Sequence, residues 1–74
     1  MSKSNVISAK GQILREDGNG YFRVELEEPE SHICLCRASG KLITRKIQLL
    51  VGDTVTVELS PYDLERGRIT LREK

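Results

Sequence analysis

Tryptophan is absent from this 74-residue sequence, and the other large aromatics supply only three rings, Tyr21, Phe22 and Tyr62. Proteins that hold unpaired RNA stack its bases on exposed rings, at about 1–3 kcal/mol per base. Phe22 alternates with Val24 and Leu26 and is expected in the core, so too few rings remain for a stacking platform. Long apolar runs are also missing. None approaches the roughly 18 residues of a membrane-spanning helix, and Met1 to Asn5 leads into no signal-like apolar stretch. A cytoplasmic chain without a membrane partner is expected. Histidine occurs once, at His32. It has no evident acidic partner, and Asp63 and Glu65 are expected on an exposed loop, so no catalytic residues and no enzyme activity are expected.

Cysteine is scarce too. Cys34 and Cys36 would point the same way from a strand, a poor arrangement for a disulfide, whose Cβ atoms must come within about 4 Å. Free thiols at the surface or half-buried are the simpler expectation. With His32 they offer three potential metal ligands, where structural zinc needs four, usually from two separated pairs. Ser39-Gly40-Lys41 resembles the end of a phosphate-binding loop but lacks its upstream glycine and following hydroxyl residue. No metal and no other cofactor is expected.

Charge of either sign is plentiful, yet its balance is only +1. That figure hides a separation. Residues 1–36 carry four basic and six acidic side chains, with Glu25, Glu27, Glu28 and Glu30 crowded together, whereas residues 37–74 carry eight basic and five acidic. Window 37–46 holds Arg37, Lys41, Arg45 and Lys46 with no acid, and Arg66, Arg68, Arg72 and Lys74 crowd the end. A local field, not the net charge, steers a polyanion to a surface.

The hydrophobic pattern has period two. Val6–Leu14 reads as a first strand, with Gly11 marking a bulge or bend, and Asp17-Gly18-Asn19-Gly20 as a turn. Tyr21–Glu27 alternates, Phe22, Val24 and Leu26 on one side, and Pro29 ends it. His32–Ala38 is a third strand, with Ile33 and Leu35 opposing His32, Cys34 and Cys36. From Ser39, a capping residue, six or seven residues form the one helical turn. Gly52-Asp53 is a turn and Thr54–Leu59 a fourth strand. Ser60–Gly67 reads as a loop, and Arg68–Arg72 as a fifth strand with Ile69 and Leu71 inward and the arginines outward. Five strands with the single helical turn between the third and fourth predict an all-β, five-stranded OB-fold barrel. Residues 1–74 form one S1-like RNA-binding domain in this reading.

Residues Gly52 to Ile69, GDTVTVELSPYDLERGRI, resemble bacterial translation initiation factor one, as do Phe22-Arg-Val-Glu-Leu26, Ser39-Gly-Lys41 and the spacing from Gly11 to Asn19 and Phe22. The resemblance spans essentially the whole chain, and Pro61-Tyr-Asp-Leu64 is its most specific part. It implies a factor that binds the small ribosomal subunit at the decoding-region A site, touching ribosomal RNA and a neighbouring ribosomal protein. Such a factor assists initiation-complex assembly with initiation factors two and three, and a monomer is expected. The chain departs from the family pattern at Arg37, where a histidine is usual, and at Leu42-Ile-Thr-Arg45, which moves a basic pair to Arg45 and Lys46. Gln48 replaces an arginine, and two residues are added around Glu28–Ser31.

The candidate RNA-binding residues are Gly18, Asn19, Arg23, Arg37, Lys41, Arg45, Lys46, Tyr62, Arg66, Arg68 and Arg72. Arginine forks suit phosphates, and the scarcity of rings favours a surface that reads phosphates and the shape of folded RNA. Two alternatives stand beside this. One is a general single-stranded RNA-binding chaperone of cold-shock type. The other is a protein-interaction barrel using the acidic 25–30 edge.

Overall fold

A computed structural model describes residues 6–27 and 32–73. The chain runs β1 (Ile7–Gly18), β2 (Tyr21–Leu26), β3 (Ile33–Ala38), α1 (Gly40–Thr44), β4 (Thr54–Ser60) and β5 (Asp63–Arg72). The strands close into a barrel in the order β1-β2-β3-β5-β4. All neighbours are antiparallel except β3 and β5. This is the OB-fold barrel expected from the strand order. Lys3, Glu28, Pro29, Glu30 and Lys74, and with them the proline stop after the second strand and the added residues, lie outside the described residues.

One strand closes the barrel by pairing on both sides. β1 pairs with β4 through Ile7–Gln12 and with β2 through Gly11–Gly18, so Gly11 is laddered on both sides. A Cβ there would lie 2.6 Å from the Glu25 carbonyl oxygen and 2.7 Å from Val24 Cγ1. Glycine is what lets the strand bend this close to its neighbour. The bulges come later, at Leu14 and Asp17, where the β1–β2 register slips. The hairpin then turns on Asn19 (φ 55°) and Gly20 (φ 80°). Positive φ at both central residues is the type I′ turn whose twist suits a two-residue hairpin.

The core comprises Ile13, Phe22, Val24, Leu26, Cys34, Cys36, Leu42, Leu49, Val55, Val57, Leu59 and Ile69. Three sequence-based expectations are corrected here. The cysteines are not surface or half-buried: Cys34 and Cys36 are 1% and 0% exposed, and Ile33 on the opposite face is 45% exposed. Cys34 lies opposite Val24 and Cys36 opposite Phe22, and directly paired residues share a face. A narrow barrel takes small sulfur side chains there; even a Cβ on Gly67 would stand 3.2 Å from Cys36 Sγ.

Secondly, the Ser60–Gly67 loop is a two-residue turn, Pro61-Tyr62, because Ser60 already pairs with Asp63. Proline cannot take the positive φ of a primed turn, and the ladder breaks at once, Leu59 next pairing with Gly67. Arg66 and Gly67 meanwhile join β3 opposite Leu35 and Cys36. Thirdly, Leu71 is 53% exposed, not inward. A slip between Val57↔Ile69 and Thr56↔Leu71 leaves Thr70 as an extra residue, which reverses the alternation. Arg72 consequently shares the register of buried Val55, and its Nη1 donates to the Gln48 carbonyl at 2.7 Å.

Ser39 starts α1: its Oγ accepts from Leu42 N–H at 3.4 Å. The helix is five residues long, a little shorter than expected. Leu42 and Leu49 add their side chains to the core where β3 stops and β4 begins.

Candidate nucleic-acid interface

Register brings the outward arginines of β2, β3 and β5 into two rows. In one, Arg15 lies opposite Arg23, Arg23 opposite Leu35, and Leu35 opposite Arg66. In the next, Tyr21 lies opposite Arg37, Arg37 opposite Arg68, and Arg68 opposite Glu58. The alternation that buries Phe22, Val24, Cys34 and Cys36 leaves these positions facing out. Arg37 sits over the Tyr21 ring, 5.5 Å from its centroid, a cation–π geometry that holds the guanidinium against the sheet.

Acids partner some of these cations. Arg68 Nη2 donates to Glu58 Oε1 at 2.9 Å, and Arg23 Nε to Asp17 Oδ2 at 2.9 Å. Hydrogen bonding from Arg23, opposed only in part by desolvation and aided by Arg15, holds the Asp17 carboxyl below the ordinary aspartate range. Exposed pairs of this kind hold only weakly, so a phosphate can exchange for the carboxylate. Among the described residues Arg66 and Lys41 make no ion pair. Arg23, Ile33, Leu35, Glu65 and Arg66 line a shallow, mainly polar groove. A second groove joins Lys41 to Arg68, Glu58, Ser39, Gly40 and Thr70.

The remaining candidates are dispersed. Gly18 and Asn19 form the hairpin tip just past Tyr21. Arg45 and Lys46 follow α1 as an exposed turn, with Lys46 at φ 57°. Tyr62 is 88% exposed and, since β5 runs parallel to β3, projects at the opposite end of this face from the hairpin tip. Arg72 is separated from the rows by the β5 slip. Arg15 was missed as a candidate because only the bulged β1–β2 register sets it opposite Arg23, and Tyr21 because its partner Arg37 lies on another strand. A plain hairpin count from Gly18↔Tyr21 would set Glu16, not Arg15, opposite Arg23.

The possible metal set is taken apart by the fold: His32 Nε2–H donates to the Leu64 carbonyl at 2.7 Å, away from two cysteines that face the core. Cys36 Sγ donates to Cys34 Sγ at 3.7 Å. That bond and burial push the Cys36 thiol far above its usual range. No helix of the described residues is long and apolar enough to cross a membrane.

A family model for translation initiation factor 1A / IF-1 matches residues 3–74. The chain belongs to this family. The solution structure of the IF-1 translation initiation factor from the Wolbachia endosymbiont strain TRS of Brugia malayi agrees with it at a TM-score of 0.78 and 33% identity, over 99% of this chain and 84% of that one. The resemblance carried by residues 52–69 is thereby met, and the chain is a translation initiation factor. The IF-1 barrel also matches part of YjeQ from Thermotoga maritima, with a TM-score of 0.75 and 25% identity over 92% of this chain and 23% of that one. In YloQ, a circularly permuted GTPase, the figures are 0.77 and 23%, over 100% of this chain and 25% of that one. This chain spans about a quarter of those two proteins, and the YloQ likeness is one of fold alone.

Proposed function

We propose that this IF-1 family member binds the small ribosomal subunit at the decoding-region A site, through ribosomal RNA and a neighbouring ribosomal protein. It assists initiation-complex assembly with initiation factors two and three, acts as a monomer and catalyses no reaction. The observation that carries this reading is the double row of outward arginines, Arg23 and Arg66 beside Arg37 and Arg68, flanked by Lys41 and the Asn19 hairpin tip. A rigid sheet presents forked cations at fixed spacing to a folded polyanion, with little aromatic surface for unstacked bases.

The test is binding to purified small subunits across a salt series, with A-site tRNA as competitor. If about six phosphates are neutralised, log K falls by roughly 4–5 per tenfold rise in salt. Arg68→Glu weakens binding strongly, whereas Arg72→Glu, on the carbonyl-bonded end of β5, weakens it less. No association at low salt, or binding indifferent to A-site tRNA, refutes the proposal. Ile33, 45% exposed beside Leu35 in the Arg23–Arg66 groove, favours a second reading, a single-stranded RNA chaperone. Tight binding of a short unstructured oligonucleotide in the absence of subunits would select it.

A further inference from the structure

Two cations of like sign face each other across the β1–β2 ladder. The bulge at Asp17 brings Arg15 directly opposite Arg23, an arrangement that repels. The same bulge turns Asp17 between them. Arg15 Nε donates to Oδ1 and Arg23 Nε to Oδ2, each at 2.9 Å. The carboxylate side chain is 21% exposed, under guanidinium side chains that are 67% and 44% exposed. Among the described residues neither guanidinium has another hydrogen-bond partner. Two guanidinium groups thus converge, one bond each, on the two oxygens of a single anion, whose unit charge and paired acceptors are those a phosphodiester offers.

We propose that Arg15 and Arg23 form a phosphate-binding subsite that Asp17 occupies in the free protein as an internal surrogate, to be displaced when an RNA phosphate docks. This deepens the proposed function and rests on it. Arg15 becomes an RNA-binding residue, and Asp17 a residue that lowers affinity by competing for the site. The surrogate has two physical effects. It holds apart the like charges that would splay the hairpin, and it makes binding an exchange of one anion for another. A polyanion too weak to displace the carboxylate gains nothing from the pair, so the clamp discriminates against casual contacts.

The test compares Asp17→Asn with Glu16→Gln, a neighbouring exposed carboxylate whose loss changes the net charge equally. In binding to small subunits, Asp17→Asn is expected to tighten affinity about five- to tenfold, the equivalent of one or two exposed pairs no longer broken. Glu16→Gln is expected to shift affinity less than about twofold. Arg15→Gln, which leaves no like-charge pair and so keeps the hairpin intact, is expected to weaken binding and to flatten the salt slope by about 0.7–0.9. A second measurement follows the Arg15 and Arg23 Nε–H resonances by NMR with tripolyphosphate as probe. Both should shift together, and saturate at lower probe concentration in Asp17→Asn. Equal behaviour of Asp17→Asn and Glu16→Gln on subunits that the native chain does bind overturns the clamp and leaves the ribosomal reading standing. Joint displacement by tripolyphosphate without subunit binding supports the clamp and removes that reading. Resonances that tripolyphosphate leaves unmoved overturn the clamp.

Discussion

Adding one methyl group at three glycines should have three different outcomes. At Gly11 the new Cβ would stand 2.6 Å from a backbone oxygen and 2.7 Å from Val24 Cγ1, against an ordinary contact of about 3.4 Å or more. Relief requires β1 to withdraw by most of an ångström where it is laddered to both β2 and β4. Overpacking generally costs about 1–3 kcal/mol, and a clash with doubly paired backbone belongs at the top of that range. For a domain this small, about 3 kcal/mol lowers the Tm by roughly 12–24 °C. At Gly67 the first obstacle is Leu59 Cδ2 at 2.6 Å, with the Glu58 carbonyl oxygen at 3.0 Å. A rotating Leu59 relieves most of this, and about 1 kcal/mol is expected. Gly40, at the first helical position, has nothing within 4 Å; alanine there should stabilise by about 0.4–1 kcal/mol. Urea unfolding followed by far-UV circular dichroism reads all three. A Gly11→Ala variant within about 1 kcal/mol of the native chain, or an order other than Gly40→Ala, native, Gly67→Ala, Gly11→Ala, refutes the reasoning.

Three further outcomes are expected. The Asp17 carboxyl should titrate below the ordinary 3.8 when followed by carboxyl NMR, and move upward in Arg23→Gln. Because the folded value is the lower one, the clamp's contribution to stability is complete above about pH 4 and is lost as pH falls through the depressed value. Cys34 and Cys36 should resist iodoacetamide in the native chain and react together in denaturant, since both are buried; fast native labelling of either would contradict the inward face of β3. Lys46→Gly should raise stability by up to about 1 kcal/mol in urea, because Lys46 holds a positive φ just past the helix, where glycine is unstrained.

Much of this architecture was legible because strand alternation and turn residues are local signals. Asn19-Gly20 declares its own turn, and Phe22, Val24 and Leu26 declare the inward face of β2. The errors fall where one strand's register depends on another. Nothing within Ile33–Ala38 says that the smaller cysteines face inward; that follows from pairing with Val24 and Phe22 in a barrel too narrow for the alternative. The extra residue at Thr70 is equally silent in the sequence, yet it decides that Leu71 is exposed and Arg72 stands apart from Arg68. The basic surface was visible as a set of charges. Its division into rows depends on the β2–β3 and β3–β5 registers, and the pairing of Arg15 with Arg23 on the bulge at Asp17.

The strand order has a consequence for how the molecule comes into being. β5 is the last strand to be synthesised, yet it lies between β3 and β4. The β1–β2 hairpin needs only its two-residue turn and can form within about 10 μs. The barrel cannot close until residues as late as Arg68 and Ile69 have left the ribosome to pair with Arg37 and Ala38. Until then β3 offers an unpaired edge, the kind of surface that recruits other strands. A nascent chain of this sequence therefore holds that edge open from the emergence of β3 until β5 follows it, about thirty residues later.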